Sequence, residues 1–196
     1  MTAEPLEIEV KIRFEGAEAA RRAILAAGGA ETRARHFEDN RILDTPAGDL
    51  ATRQALLRVR STSDGRGFVT FKEKVATDVR AKVRIERESE VSSADAIAAI
   101  LEGAGFVTTY RYQKYRTVFR LGRATVDLDE TPMGCFIEIE AERDAILEAA
   151  SRLGAKESEF LVEDYRTLYH DWLREKGLPL GDMIFPPPGA GSPPAA

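Results

Sequence analysis

Charged and apolar residues alternate without a break over residues 7–14, so a strand there carries Glu7, Glu9, Lys11 and Arg13 on one face and apolar side chains on the other. For a single strand, the charged face would simply meet water. The alternation returns along the chain, however. Residues 55–60 set Leu57 and Val59 against Arg58 and Arg60, and residues 68–74 set Val69 and Phe71 against Thr70, Lys72 and Lys74. Over residues 82–91 one face holds Lys82, Arg84, Glu86, Glu88 and Glu90, opposite Val83, Ile85 and Val91. Residues 106–121 place Lys114, Arg116 and Arg120 opposite Tyr115, Phe119 and Leu121. Residues 124–129 oppose Thr125, Asp127 and Asp129 to Ala124, Val126 and Leu128, and residues 135–141 oppose Glu138 and Glu140 to Ile137 and Ile139. With a further strand over residues 36–44, this makes about eight.

Between them lie segments of helical period. Ala20, Ile24 and Ala27 share a face over residues 16–27, which Gly28-Gly29 terminate. Ser92 or Ser93 caps a helix running to Glu102, with Ile97, Ile100 and Leu101 as its apolar stripe. Two more are expected at residues 143–153 and 161–176, the second presenting Leu161, Tyr165, Leu168, Tyr169 and Trp172. Thr45-Pro46-Ala47-Gly48-Asp49, Asp64-Gly65-Arg66-Gly67 and Glu130-Thr131-Pro132-Met133-Gly134 read as turns or loops. Residues 1–176 therefore form one domain. Residues 177–196, rich in Pro and Gly, form a tail expected to be disordered apart from docking of Met183, Ile184 and Phe185.

Strands joined mostly by hairpins predict an α+β fold, an eight-stranded antiparallel β-barrel, closed or nearly closed, with helices packed on the outside. The helices decide which strand face points inward. Their apolar stripes need something to bury against, so the apolar strand faces lie beneath them and the charged faces line the interior. Such an interior is costly to desolvate and favours ligands that complement both signs of charge.

Composition narrows the ligand. With 33 acidic and 28 basic residues, a net charge of -5 and no basic tail, the 196-residue chain is not a broad nucleic-acid binder, and any attraction for phosphate is local. One cysteine, Cys135, excludes an internal disulfide, and two histidines cannot build a His-rich or Cys/His zinc site. A reducing cytoplasm is the expected compartment. There is no signal-like start and no run of about 18 apolar residues, so no membrane span is expected. Cys135 shares the face of Ile137 and Ile139 and reads as a buried small hydrophobe.

Within the expected interior, Lys11, Arg58, Arg60, Lys72, Arg84, Lys114 and Arg116 are more cations than a few carboxylates require, and they suit an anion with several charges such as a phosphate chain. The acids are Glu7, Glu9, Glu86, Glu88, Asp127, Asp129, Glu138 and Glu140. Carboxylates from several strands, without thiol or imidazole, favour a hard cation, Mg²⁺ or Mn²⁺.

Glu7-Ile8-Glu9-Val10-Lys11 resembles the ExExK signature of the CYTH proteins, the triphosphate tunnel metalloenzymes, which include class IV adenylyl cyclases, thiamine triphosphatases and inorganic tripolyphosphatases. Leu57-Arg58-Val59-Arg60, Phe71-Lys72, Arg84-Ile85-Glu86-Arg87-Glu88, Lys114-Tyr115-Arg116, Asp127-Leu128-Asp129-Glu130 and Phe136-Ile137-Glu138-Ile139-Glu140 resemble the later family blocks in order. The resemblance runs to about Trp172. It implies an eight-stranded tunnel in which Lys11, Arg58, Arg60, Lys72, Arg84, Lys114 and Arg116 hold a triphosphate, and Glu7, Glu9, Asp127, Glu138 and Glu140, with Glu86, Glu88 and Asp129, hold metal. Where family members often carry a basic residue before a Ser-Tyr pair, this chain has Val162-Glu163-Asp164-Tyr165, so Arg166 or Lys156 would have to supply that cation.

The expected activity is metal-dependent attack on a phosphoanhydride, with Glu9 or Glu138 assisting the nucleophile. A ribose hydroxyl of ATP gives cyclic AMP and pyrophosphate, the class IV cyclase reaction. Water gives a triphosphatase acting on tripolyphosphate, thiamine triphosphate or a nucleotide. Two further classes are a noncatalytic polyphosphate or nucleotide sensor and a lipocalin-like barrel; several carboxylates facing phosphate disfavour the first, and charge alternation the second. Oligomeric state stays open, a homodimer included.

Overall fold

Eight antiparallel strands and five α-helices make up the α+β fold of the computed structural model, which describes residues 6–78 and 81–187, the side chains of residues 6, 7, 74–78 and 81–83 excepted. In chain order they are β1 (Leu6–Phe14), α1 (Ala17–Ala26), β2 (Ala30–Asp44), α2 (Asp49–Thr52), β3 (Ala55–Thr62), β4 (Gly67–Asp78), β5 (Ala81–Val91), α3 (Ala94–Gly103), β6 (Val107–Leu121), β7 (Ala124–Thr131), β8 (Gly134–Glu140), α4 (Arg143–Arg152) and α5 (Tyr165–Glu175). The strand order is β1-β5-β4-β3-β2-β6-β7-β8, and β1 pairs with both β5 and β8, so the sheet curls round on itself. Among the described residues, no helix is long and apolar enough to cross a membrane.

The helices cover the apolar strand faces, as their stripes require. Ala20 and Ile24 of α1 and Ile146, Ala149 and Ala150 of α4 pack with Val10, Ile12, Phe119, Leu121, Val126, Leu128, Cys135, Ile137 and Ile139 in one buried cluster. A second cluster joins Ala98 of α3 to Leu43, Leu57 and Val59. Each large side chain buried this way stabilises the fold by about 1.5–3 kcal/mol relative to exposure, which favours this outer face as the core. Ser93 caps α3, its hydroxyl accepting from Ala96 N at 3.1 Å.

Three places differ from the expectations. β2 begins at Ala30 because it follows the whole length of β6; register shifts at Glu31/Arg33 and Arg33/His36 break its alternation and hide it from a period-two reading. The 45–49 loop runs into the short α2, held by Asp44, whose carboxylate accepts from Thr45 N (2.7 Å), Leu50 N (2.8 Å) and Ala51 N (2.9 Å). α5 starts at Tyr165 rather than Leu161. Asp164 caps it, accepting from Thr167 N at 2.9 Å, while Leu161 is extended and exchanges two 2.9 Å backbone hydrogen bonds with Lys11.

Past α5 the chain returns to β6. Met183 N donates to Arg111 O (3.1 Å) and Gln113 N donates to Met183 O (2.8 Å), on the edge of β6 that β7 reaches only from Tyr115 onward. Met183 is fully buried, and Phe185 packs on Tyr115 and Phe37 at centroid distances of 5.3 and 6.4 Å. Residues 188–196 of the tail lie outside the described residues.

Candidate active site

The inner face of the curl is charged, and it bounds a cavity of about 1000 Å³. Lys11, Arg58, Arg60, Lys72, Arg84, Lys114 and Arg116 all line it, brought together from β1, β3, β4, β5 and β6. So do Glu9, Glu86, Glu88, Asp127, Glu138 and Glu140. The Glu7 side chain lies outside the described residues, though its backbone pairs with Arg84. Strand register explains the convergence: on β8, Glu138 stands between Lys11 of β1 and Asp127 of β7, and Glu140 stands between Glu9 and Thr125.

The charges fall into two groups. In the first, Lys11 Nζ lies 3.0 Å from Glu9 and 3.2 Å from Glu138, and Lys114 Nζ lies 2.8 Å from Asp129 and 3.8 Å from Glu138. Arg116 grips Asp129 with a forked pair of hydrogen bonds (2.7 and 2.6 Å), reaches Asp127 at 2.5 Å and also bonds Glu138. In the second, Arg58 and Arg60 share Glu88 (3.3 and 3.1 Å), Lys72 lies 3.0 Å from Glu86, and Arg58 also donates to the Tyr112 hydroxyl at 3.1 Å.

Asp129 is the exception among the acids. It is fully buried and does not line the cavity; Lys114, Arg116 and the Tyr165 hydroxyl (2.7 Å) already occupy both its oxygens. Its position is that of an anchor beneath the two cations.

Ionisation follows from burial and neighbours. Burial raises the Glu138 carboxyl, but Lys11, Lys114 and Arg116 outweigh it and hold the group well below the usual range. Burial likewise disfavours the charged Lys11, yet Glu9 and Glu138 keep its amine charged far above neutrality. Asp127 goes the other way: burial first, then Asp129 and Glu138, push it up to about 6 against the pull of Arg116. Arg60 is shifted down by burial and by neighbouring Arg58, a sign of crowded positive charge. The Nε atoms of Arg58, Arg60 and Arg84 are buried without a hydrogen-bond partner among the described residues.

Several site groups escape the sequence reading. Glu38 of β2 is almost fully buried between Arg60 (3.5 Å) and Lys114 (3.8 Å), and His36 Nε2 lies 3.4 Å from it. Despite burial, Lys114, His36, Arg116 and Arg60 hold Glu38 well below the usual carboxylate range. The signal was weak because the opposite face of β2 carries Asp39 and Arg41 as well as Phe37, so no apolar side marks Glu38 as inward. Tyr165 reads as part of a helix's apolar face and Tyr112 is not singled out by the strand pattern, yet both line the cavity. At the mouth, Arg166 lines the cavity beside Glu163 and Asp164, whereas the backbone of Lys156 opens a short 3-10 turn by donating to Glu159.

Fold and site together define an α+β protein whose curled sheet turns a doubly charged face inward. The chain belongs to the CYTH domain family, whose model matches residues 5–162. Solved structures agree in fold. A Vibrio parahaemolyticus protein provisionally named an adenylate cyclase superposes with a TM-score of 0.73 at 19% identity, covering 84% of this chain and 97% of its own. A protein of Pyrococcus horikoshii OT3 gives 0.69 at 26% identity, covering 81% and 96%. A Hippeastrum protein provisionally named an adenylyl cyclase, for which a dominant triphosphatase activity is stated, gives 0.56 at 21% identity, covering 94% and 93%. No curated protein matches the chain by sequence.

Proposed function

We propose that the protein is a divalent-metal-dependent enzyme that binds a triphosphate inside the curled sheet, acting as a closed tunnel, and cleaves one of its phosphoanhydrides. The observation that carries this reading is the convergence of cations and carboxylates from different strands, Lys11, Arg58, Arg60, Lys72, Arg84, Lys114 and Arg116 with Glu9, Glu86, Glu88, Asp127, Glu138 and Glu140 among them, on one cavity. Lys11, Arg58, Arg60, Lys72, Arg84, Lys114 and Arg116 would bind phosphate oxygens. Their charge would stabilise the transition state and leaving group, where phosphoryl transfer needs positive charge most.

The donor chemistry fits a hard cation. Among the described residues, the cavity offers carboxylate oxygens without thiol or imidazole, and Asp127 Oδ1 is buried without a hydrogen-bond partner. Among the described residues no three such groups are gathered as a ready metal site, because the acids are turned onto cations. Glu9, Asp127, Glu138 and Glu140 would hold Mg²⁺ or Mn²⁺, with Glu7 alongside them on the strand; Glu86 and Glu88 sit in the second charge group and serve Arg58, Arg60 and Lys72. The bound ion would supply charge neutralisation and Lewis acidity. A carboxylate freed from its cation when phosphate binds, Glu9 or Glu138, would take the nucleophile's proton.

Cyclisation of ATP is the first reading, supported by a cavity at the upper end of the about 300–1,000 Å³ of sites that hold whole organic ligands. Hydrolysis is the second, supported by the activity stated for the Hippeastrum neighbour. Incubation with Mg²⁺ or Mn²⁺ and ATP, tripolyphosphate or thiamine triphosphate, followed by product separation, decides between them. Cyclic AMP with pyrophosphate establishes the cyclase, orthophosphate the hydrolase. Binding without turnover leaves a sensor.

A further inference from the structure

We infer that Tyr165 is a positioning residue that sets Lys11 and Lys114, two of the site's buried lysines, for phosphate. Its ring centroid lies 5.3 Å from Lys11 Nζ and 5.2 Å from Lys114 Nζ, so two ammonium groups from different strands meet one aromatic ring. Its hydroxyl donates to Asp129 Oδ2 at 2.7 Å, the oxygen that also receives Lys114 and Arg116. Burial first, then the charges of Asp129 and Glu138, keep the phenol protonated and able to donate. One side chain thus contacts three members of the first charge group.

The same two lysines share a second group, the Glu138 carboxylate, at 3.2 and 3.8 Å. A carboxylate competes with phosphate for an ammonium, whereas a ring quadrupole does not. When phosphate draws Lys11 and Lys114 away from Glu138, the ring remains a partner that still favours their charged, converged arrangement. The chain fixes the ring from three sides. Leu161 pairs with the backbone of Lys11 itself, Asp164 caps the helix at the residue before Tyr165, and Phe136 meets the ring edge-on at 5.5 Å. Tyr165 and its helix cap Asp164 lie past the end of the family-matched residues 5–162, so the matched segment alone does not contain this ring, although Leu161 and Phe136 fall within it.

This role rests on the triphosphate reading, and one experiment separates their failures. Calorimetric binding of inorganic tripolyphosphate, with and without Mg²⁺, is compared for the full-length wild type, Tyr165→Leu, Tyr165→Phe and Leu168→Ala, the last altering a residue packed against the same apolar cluster. Side-chain NMR of the lysine ε-methylene and ammonium groups is recorded on each. Tyr165→Leu is expected to weaken tripolyphosphate binding about tenfold, about 1.4 kcal/mol, and to abolish the ring-current shifts of Lys11 and Lys114. Tyr165→Phe retains those shifts and loses less affinity, and Leu168→Ala lowers the melting temperature while leaving affinity and shifts in place. A folded Tyr165→Leu protein that binds tripolyphosphate within about twofold of wild type, or wild-type lysines without ring-current shifts, overturns the role. Wild-type protein that binds no tripolyphosphate overturns the triphosphate reading, while the lysine shifts still decide where Tyr165 sits. If Tyr165→Leu does not fold, Tyr165→Met, which fills more of the space, takes its place under the same criteria.

Discussion

Asp129 shows how a single residue's role depends on what already occupies it. By alternation it is equivalent to Asp127, two positions earlier on the same face of β7. In the fold, Asp127 borders the cavity with one oxygen unpartnered, and Asp129 is sealed beneath two cations and a phenol. Replacing Asp129 by Asn leaves Lys114 and Arg116 buried with one carboxylate fewer, and breaking such a network costs about 3–5 kcal/mol. Urea unfolding of Asp129→Asn should show that loss equally with and without Mg²⁺, because the oxygens serve protein cations. A loss that appears with metal and vanishes without it would return Asp129 to the metal ligands. Period two placed Asp127 and Asp129 together; it could not say which would lie deeper, since depth depends on Tyr165, thirty-six residues away in sequence.

At the scale of elements, the strand patterns were legible wherever one face is apolar and illegible where neither is. β1, β7 and β8 lie under α1 and α4, β3 lies under α3, and all four alternate cleanly, whereas β2 carries bulges and mixed faces and hid Glu38 and its own first residues. The end of β2 also sets a testable device. Burial raises the Asp44 carboxyl, but hydrogen bonds from Leu50, Ala51 and Thr45 outweigh it and lower the group below its ordinary 3.8. A depressed folded value means that Asp44 contributes stability at pH above 3.8, lost as pH falls through the folded value. Asp44→Asn should cost about 0.5–2 kcal/mol at pH 7, in the range of a lost helix cap, and the difference from wild type should shrink as the pH is lowered below 3.8. Thermal melts at pH 7 and pH 3 check this; a constant difference would show that the amide loses packing rather than charge. β6 offers the complementary lesson. Its edge beyond the reach of β7 is covered by Met183; docking of that segment was expected from its apolar run, but no local pattern marks β6 as its place.

For the whole molecule, the paired charges of the interior make a store of opposing interactions that a bound polyanion would rearrange. Tripolyphosphate that binds the folded state alone should raise its stability by about 2.7 kcal/mol at a hundredfold excess over Kd, seen as a rise in melting temperature that diminishes with added salt. Orthophosphate at the same concentration, with fewer charges to match, should raise it less; equal shifts would argue against a site built for a chain of phosphates. Acid should act in the opposite sense. Glu38 and Glu138 are held well below their ordinary 4.5, so their contribution is present above that value and is lost as pH falls through the folded range.

The amino-acid sequence by itself determined which residues share a strand face, because side chains alternate strictly along an extended backbone, and which helices carry an apolar stripe that must be buried. Those two facts turned the charges of Glu9, Lys11, Arg58, Arg60, Lys114, Arg116 and Glu138 inward together. The tertiary structure alone decided how the charges divide: Glu138 between Lys11 and Lys114, Asp129 beneath the cavity, Glu38 between Arg60 and Lys114, and the Tyr165 ring beside both lysines. Partners on different strands are chosen by register, bulges and the path of the chain after β8, which are set by the packing of the whole sheet and not by any local run of residues.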